Sequence, residues 1–229
     1  MNELDDRRVL GALEFFSAAS GARLRSPLQV HGAGLELQRN AGGLYVIRQA
    51  AGLQHHGIEF FAAPDTPAAE TQSFELEVRD PQRAHAARRL SLRLPRPSQA
   101  TPGNTSLLEP VRVPLLPARS FRGGPDWALL HARVLRSDDH RPVANALLSL
   151  QTQVGGARSC DALTDGDGEA LLCVTGVAPV LPGEGANAAL SREFTAQVTV
   201  VVDSEVADPA ALPDPDRIAS RRTAGAAGV

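Results

Sequence analysis

Short apolar runs, each halted by a cluster of Gly, Pro, Asn, Asp or Ser, recur at roughly 8–12-residue spacing along this 229-residue chain. That punctuation admits few architectures. Phe74-Glu75-Leu76-Glu77-Val78 and Leu90-Ser91-Leu92-Arg93-Leu94 alternate strictly, which places Phe74, Leu76 and Val78 on one face of a strand. Leu28 to Val30 and Leu35 to Leu37 alternate as well. Leu44 to Ile47 and Ile58 to Phe61 read as strands, and Phe194 to Val202 is the strongest strand, rich in β-branched residues. With 20 Gly and 17 Pro, turns dominate over long helices. The reading is all-β, with antiparallel sandwiches in two units.

The composition marks the boundaries. Residues 1–97 form the N-terminal β-sandwich, and a Pro-, Ser-, Thr- and Gly-rich linker covers 98–126. Within that linker, Val111 to Pro117 is apolar but broken by Pro, so it can only be an extended edge segment lying against a domain. A second sandwich covers 127–206, opening at Trp127, and a Pro/Asp/Ala-rich tail covers 207–229. The Ala-rich piece from Ala84 to Arg89 has the composition of a helical turn.

One stretch of the second unit, Cys160 to Val177, carries the strongest turn signal. Asp165-Gly166-Asp167-Gly168 is dense in residues that accept positive φ and stands between apolar runs, which predicts a β-hairpin. A reversal between Gly166 and Asp167 sets Thr164 against Glu169, Ala162 against Leu171, and Cys160 against Cys173. Asn40-Ala41-Gly42-Gly43-Leu44-Tyr45-Val46-Ile47 lies over Asp165 to Leu172 without a gap, a short internal repeat of one sandwich-type unit.

Charge and residue choice exclude several classes of function. The formal net charge of −3 disfavours nucleic acid as the main partner. From Asp126 onward 8 Arg face 14 acids, so the second half is the acidic one. Every basic residue is Arg. Without Lys the chain has no Schiff-base, P-loop or Ser-Lys chemistry and no Lys–Asn isopeptide cross-link. No apolar run reaches the roughly 18 residues of a membrane span, and the acidic N-terminus lacks the apolar core of a signal peptide. Cytoplasmic synthesis is the expectation, with Cys160 and Cys173 as reduced thiols whose opposition would permit a disulfide in an oxidising medium.

The polar residues that resemble sites are better explained by turns. His55 and His56 are adjacent, so on a strand they point to opposite faces and cannot share a metal. His131 and His140 have no carboxylate or Cys at ligand spacing. Asp161, Asp165, Asp167 and Glu169 suggest a calcium loop, but the full spacing with its terminal Glu is missing. Asp138-Asp139 reads as turn and Asp214-Pro215-Asp216 as tail. Ser159-Cys160 lacks a His partner for nucleophilic chemistry, and no nucleophile-elbow, Rossmann or Walker pattern is present. No catalytic, cofactor-binding or metal-ligating residue is expected, and the chain does not read as an enzyme.

From Val134 to Leu150 and from Ala162 to Val177 the sequence resembles the carboxypeptidase-regulatory-like domain, a transthyretin-like sandwich. Pro142, Ala144 and Ala146 match its Pro-x-Ala-x-Ala, and Thr164, Asp165 and Gly168 its Thr-Asp-x-x-Gly. Ala170 departs from it, since the family places Phe or another large residue there. The resemblance covers roughly Trp127 to Val202, and Ser20-Gly21-Ala22 with Asn40 to Tyr45 resembles the same elements more loosely. It implies two antiparallel Ig-like/transthyretin-like β-sandwich domains joined by a Pro-rich linker. The layout as a whole is similar to accessory proteins of phage-tail-like contractile injection systems. That likeness implies a non-catalytic structural component at a cap, baseplate or tube end. Its partners would be tube, sheath, cap or baseplate proteins, with homo-oligomers inside the particle. The competing reading is an adhesin-like or carbohydrate-binding module at a cell surface.

Overall fold

The computed structural model describes residues 9–53, 71–97, 106–153, 156–177, 194–203, 210 and 212–226. His55, His56, the strand expected at Ile58 to Phe61 and most of the loop expected at Ala62 to Gln72 lie outside them. Strands dominate. The chain divides into two compact units, one made of Met1–Phe16, Ala22–Pro81 and Arg89–Pro114, the other of Ser17–Gly21, Gln82–Arg88 and Leu115–Val229.

The first unit is built on β1 (Gly11–Ser17), β2 (Gln29–Gly32), β3 (Leu35–Arg39), β4 (Tyr45–Ala50), β5 (Gln72–Arg79), β6 (Arg88–Leu94) and β7 (Val111–Leu115). They form two sheets, β3-β4-β1-β7 and β2-β5-β6. Burial alternates along β1, β5 and β6 as the sequence does, so Leu13, Phe15, Leu76, Val78, Leu92 and Leu94 turn inward. Tyr45 ties the β4 sheet to the segment leading into β2. Its hydroxyl donates to the Leu28 carbonyl at 2.8 Å and accepts from the Leu28 amide at 2.6 Å. A buried Tyr needs such partners for its polar end. The linker segment becomes β7, an edge strand, in keeping with Pro114 inside it.

The second unit contains β8 (Trp127–Arg133), β9 (Leu147–Thr152), β10 (Arg158–Leu163), β11 (Glu169–Thr175) and β12 (Ala196–Val201). Its sheets are β10-β9-β12 and β11-β8, all pairs antiparallel. Ala146 just before β9, with Leu148, Leu150 and Ala162 from the first sheet, meets Ala170, Leu172 and Val174 from the second in one buried cluster. Ala84 to Ala86 runs extended and antiparallel to Leu116 to Ala118, not as a helical turn, and Ala86 N–H donates to Leu116 O at 2.9 Å.

The residues after 207, expected as a tail, carry α1 (Pro215–Ala226). Asp214 caps it, with its carboxylate accepting from the Asp216 amide at 3.1 Å, and Pro215 takes the first helical position, where no amide is needed. Ile218 is fully buried against Leu116, Leu147 and Leu163, so α1 covers the face of β9 and β10 opposite the main cluster. Ion pairs hold it down. Arg88, 2% exposed, bonds Asp216 at 2.6 Å and Asp214 at 3.4 Å, while buried Asp203 accepts from Arg221 at 2.6 Å.

Candidate functional site

The turn at Asp165 to Gly168 forms as expected, but its flanking strands do not pair. The Asp165 carboxylate accepts from the amides of Asp167 at 2.9 Å and Glu169 at 3.0 Å, and Gly168 N–H donates to Asp165 O at 3.0 Å. Gly168 has φ +74, and a Cβ there would stand 2.6 Å from the Val134 carbonyl oxygen and 3.0 Å from Pro142 Cβ. No side chain fits. β10 pairs with β9 and β11 with β8, so the turn crosses from one sheet to the other.

The hairpin register expected for this turn is therefore corrected. The backbone groups a hairpin would use are already engaged. Thr164 O accepts from Asn145 N, Thr164 N donates to Ala146 O, and Gly168 O accepts from Val134 N. The run from Ala170 to Val174 is buried on both faces, as befits a strand inside the unit instead of a hairpin arm with one wet face.

The echo at Asn40 repeats the turn and not the pairing. Asn40 N donates to Leu44 O, Gly43 N to Asn40 O, and Leu44 N to the Asn40 side-chain oxygen, matching at the same spacing the bonds from Asp165 N to Glu169 O, Gly168 N to Asp165 O and Glu169 N to the Asp165 carboxylate. Gly43 has φ +84. There the flanking strands β3 and β4 do form a hairpin, with Arg39 opposite Tyr45.

The six residues that carry the family likeness meet at one place. The Thr164 hydroxyl donates to Val143 O at 2.7 Å and accepts from the Ala146 amide at 2.8 Å, so it latches the Pro142-to-Ala146 segment to the turn. Ala144 and Ala146 are buried, and Pro142 sits against Gly168. The chemistry of this corner is structural. Its hydroxyl and the Asp165 carboxylate oxygen are spent on backbone groups.

The remaining polar residues assemble no reactive centre among the described residues. Glu169 pairs with Arg119 at 2.7 Å beside an open cleft of about 600 Å³, also lined by Arg83, Ser120, Asn145 and Asp165. Asp138 and Asp139 bond Arg136 and Arg141 on an exposed turn, where the Arg136 hydrogen bond holds the Asp138 carboxyl below its ordinary range. His140, at φ 56, lies in that turn, and His131 faces Leu171 across the β8–β11 ladder. No group of three His, Cys, Asp or Glu side chains converges as for a metal among the described residues.

Cys160 and Cys173 are free thiols on different ladders, Cys160 opposite Leu150 and Cys173 opposite Leu129. Cys160 packs on the main cluster with Leu172 and Val174. Cys173 alternates with those two residues and faces the other way, so the expected cross-strand opposition is not formed. Burial pushes Cys160 up to about 11, opposed by a hydrogen bond from the Cys173 backbone, and burial pushes Cys173 up to about 12. Neither is a thiolate near neutrality, hence neither is a nucleophile there.

What stands out is apolar exposure. On β8, Leu129 and Leu130 are exposed, as are Phe194, Val198, Val200 and Val202 on and beside β12. The β12 run reads from the sequence as the strongest strand, with no signal that Val198 and Val200 face solvent. Nothing in the sequence marks the Arg88–Asp216 and Asp203–Arg221 pairs, whereas Asp214-Pro215-Asp216 is a helix-start signature that points to α1. Among the described residues no helix is long and apolar enough to cross a membrane. Comparison with protein-family models, with curated proteins and with solved structures finds no match to this chain.

Proposed function

We propose that this chain is a non-catalytic assembly component of a multiprotein particle, built from two Ig-like/transthyretin-like β-sandwich units, the second of the carboxypeptidase-regulatory-like type. The observation that carries this reading is the apolar surface of the second unit. Leu129, Leu130, Val198 and Val200 are all more than 40% exposed, on strands that end their sheets. Val198 and Val200 share one face of β12, and apolar exposure grouped in this way is what contact with another macromolecule would cover. The turn, Thr164 and Asp165 are committed to backbone hydrogen bonds, which fits a scaffold.

The Thr164 latch supports the carboxypeptidase-regulatory-like assignment, because it physically joins the two segments that carry the likeness. The particle is of the phage-tail-like contractile injection type, with the chain at a cap, baseplate or tube-end position. This part of the reading rests on the layout of the sequence.

The test is co-sedimentation. A tagged chain expressed in its source cells is followed through a density gradient that resolves tube and sheath particles from free protein. Recovery in the particle fraction, lost when sheath and tube are absent, is the expected result. A chain that stays at the top of the gradient while intact particles pellet overturns the reading. Retention on cell-surface glycan instead would favour the adhesin-like alternative.

A further inference from the structure

Strand β12 has a neighbour on one side only among the described residues. It is the last strand of β10-β9-β12, and its free edge is unusual in what it lacks. Among the described residues, every other sheet-ending strand but one carries a charge or a Pro: Glu36 in β3, Arg93 in β6, Pro114 in β7, Arg133 in β8, Asp161 in β10 and Glu169 in β11. The exception, β2, is four residues long and ends at Gly32. From Phe194 to Val202 there is no charge, Pro or Gly at all. Natural proteins blunt free edges with such residues, so their absence here is the mark of an edge that is meant to pair.

The faces of β12 say with what. Val198 stands opposite Leu150 and Val200 opposite Leu148, the two leucines that β9 contributes to the main cluster. These valines thus lie on the face that elsewhere forms the core, yet Val198 is 41% and Val200 44% exposed. Val202 has the same parity and is also exposed. The core-forming face runs on past the buried cluster.

We propose that the free edge of β12 pairs antiparallel with β12 of a second copy of this chain, joining two three-stranded sheets into one. The sequence is self-complementary for such a pairing. Any two-fold register that keeps the core-forming faces on one side places even-numbered residues opposite even-numbered ones. That sets Ala196, Val198, Val200 and Val202 against one another and brings no like charges together. The inference deepens the assembly reading, on which it rests for the premise that the chain works as part of a multi-copy structure.

Light scattering over a concentration series, on the purified full chain, tests it. The native chain dimerises, and Val198→Lys and Val200→Lys, which place charges on the same exposed positions, weaken the dimer by roughly tenfold or more while far-UV CD stays unchanged. A nitroxide at Gln197→Cys, with the half-buried Cys160 replaced by Ser and Cys173 buried, gives an independent reading. The copies lie one strand spacing apart, so the label-to-label distance falls on the order of 10–20 Å. A chain that stays monomeric at every concentration overturns the proposal and leaves this edge to another part of the chain or to a foreign strand. So does a dimer that both lysine variants leave intact. A monomer that still co-sediments with particles sinks this proposal alone, whereas a β12 dimer absent from every particle fraction sinks the assembly reading alone.

Discussion

Gly43 and Gly168 occupy the same position of the same turn, with the same three hydrogen bonds, yet alanine should cost very different amounts at the two. Both have φ near +80, a region that costs an L-residue about 1–2 kcal/mol. At Gly43 the new Cβ would lie 3.4 Å from an Arg39 guanidinium nitrogen, the end of a flexible side chain, so the backbone term is the whole cost. At Gly168 it would lie 2.6 Å from the Val134 carbonyl oxygen, a fixed part of the adjoining β8 segment, with Pro142 close behind. Relieving that contact adds about 1–3 kcal/mol, as overpacking does elsewhere. Gly168→Ala is therefore expected to lose about 2 kcal/mol more than Gly43→Ala. The chain carries one Trp and one Tyr, in different units, so urea unfolding can follow the second unit by Trp127 fluorescence and the first by the near-UV signal of Tyr45. With urea slopes of about 1–3 kcal/mol per molar, the difference amounts to a midpoint shift of about 1 M. Equal losses at the two sites would refute the close approach to Val134 and restore a simple hairpin at Asp165 to Gly168.

Other perturbations separate the remaining parts of the account. Thr164→Val leaves the Ala146 amide and the Val143 carbonyl without their buried partner and should cost about 2–3 kcal/mol by the same Trp127-detected unfolding. Ile218→Ala empties a fully buried site under α1 and should cost about 2–5 kcal/mol, with earlier proteolytic cutting near the C-terminal helix. A loss under 0.5 kcal/mol there would mean that α1 does not pack on the sheet. The thiol pKa values are raised on folding, so their contribution to stability is complete below about pH 9, where an unfolded thiol begins to ionise, and is lost as pH rises towards about 11 and 12. Tm should fall over that range, and less steeply in a Cys160→Ser, Cys173→Ala variant. Millimolar Ca²⁺ should leave Tm unchanged, because an Asp165 carboxylate oxygen is spent on the turn amides. A rise of several degrees that is lost in Asp167→Asn would establish a calcium site instead.

The strands were legible wherever one face is wet and the other dry. Phe74, Leu76 and Val78 turn inward in β5 as their alternation requires, and the Pro-broken Val111 to Leu115 lies at a sheet edge. The turn at Asp165 was legible too, because the Asp carboxylate and Gly168 specify its bonds locally. Its strand pairing was not. Whether β11 pairs with β10 or β8 depends on which backbone groups β8 and β9 have already engaged, and that information lies as far away in sequence as Trp127 is from its partner Thr175. The doubly buried run Ala170 to Val174 was the available hint. The helix was hidden by composition, since a segment rich in Ala, Pro and Asp reads as tail until the Asp-Pro-Asp start and the lone Ile218 are taken together. The exposed valines of β12 could not be foreseen, because β-branched residues in a row signal a strand equally well at a core or at an interface.

Amide hydrogen exchange of the Phe194 to Val202 segment tests most directly whether the β12 edge is a contact surface and not merely the end of a sheet, comparing the dilute free chain with the chain recovered in its assembled state. The outward-facing β12 amides are expected to exchange rapidly when free and to become strongly protected on assembly, while β9 changes little. Equal exchange of β12 in the two states would contradict the account.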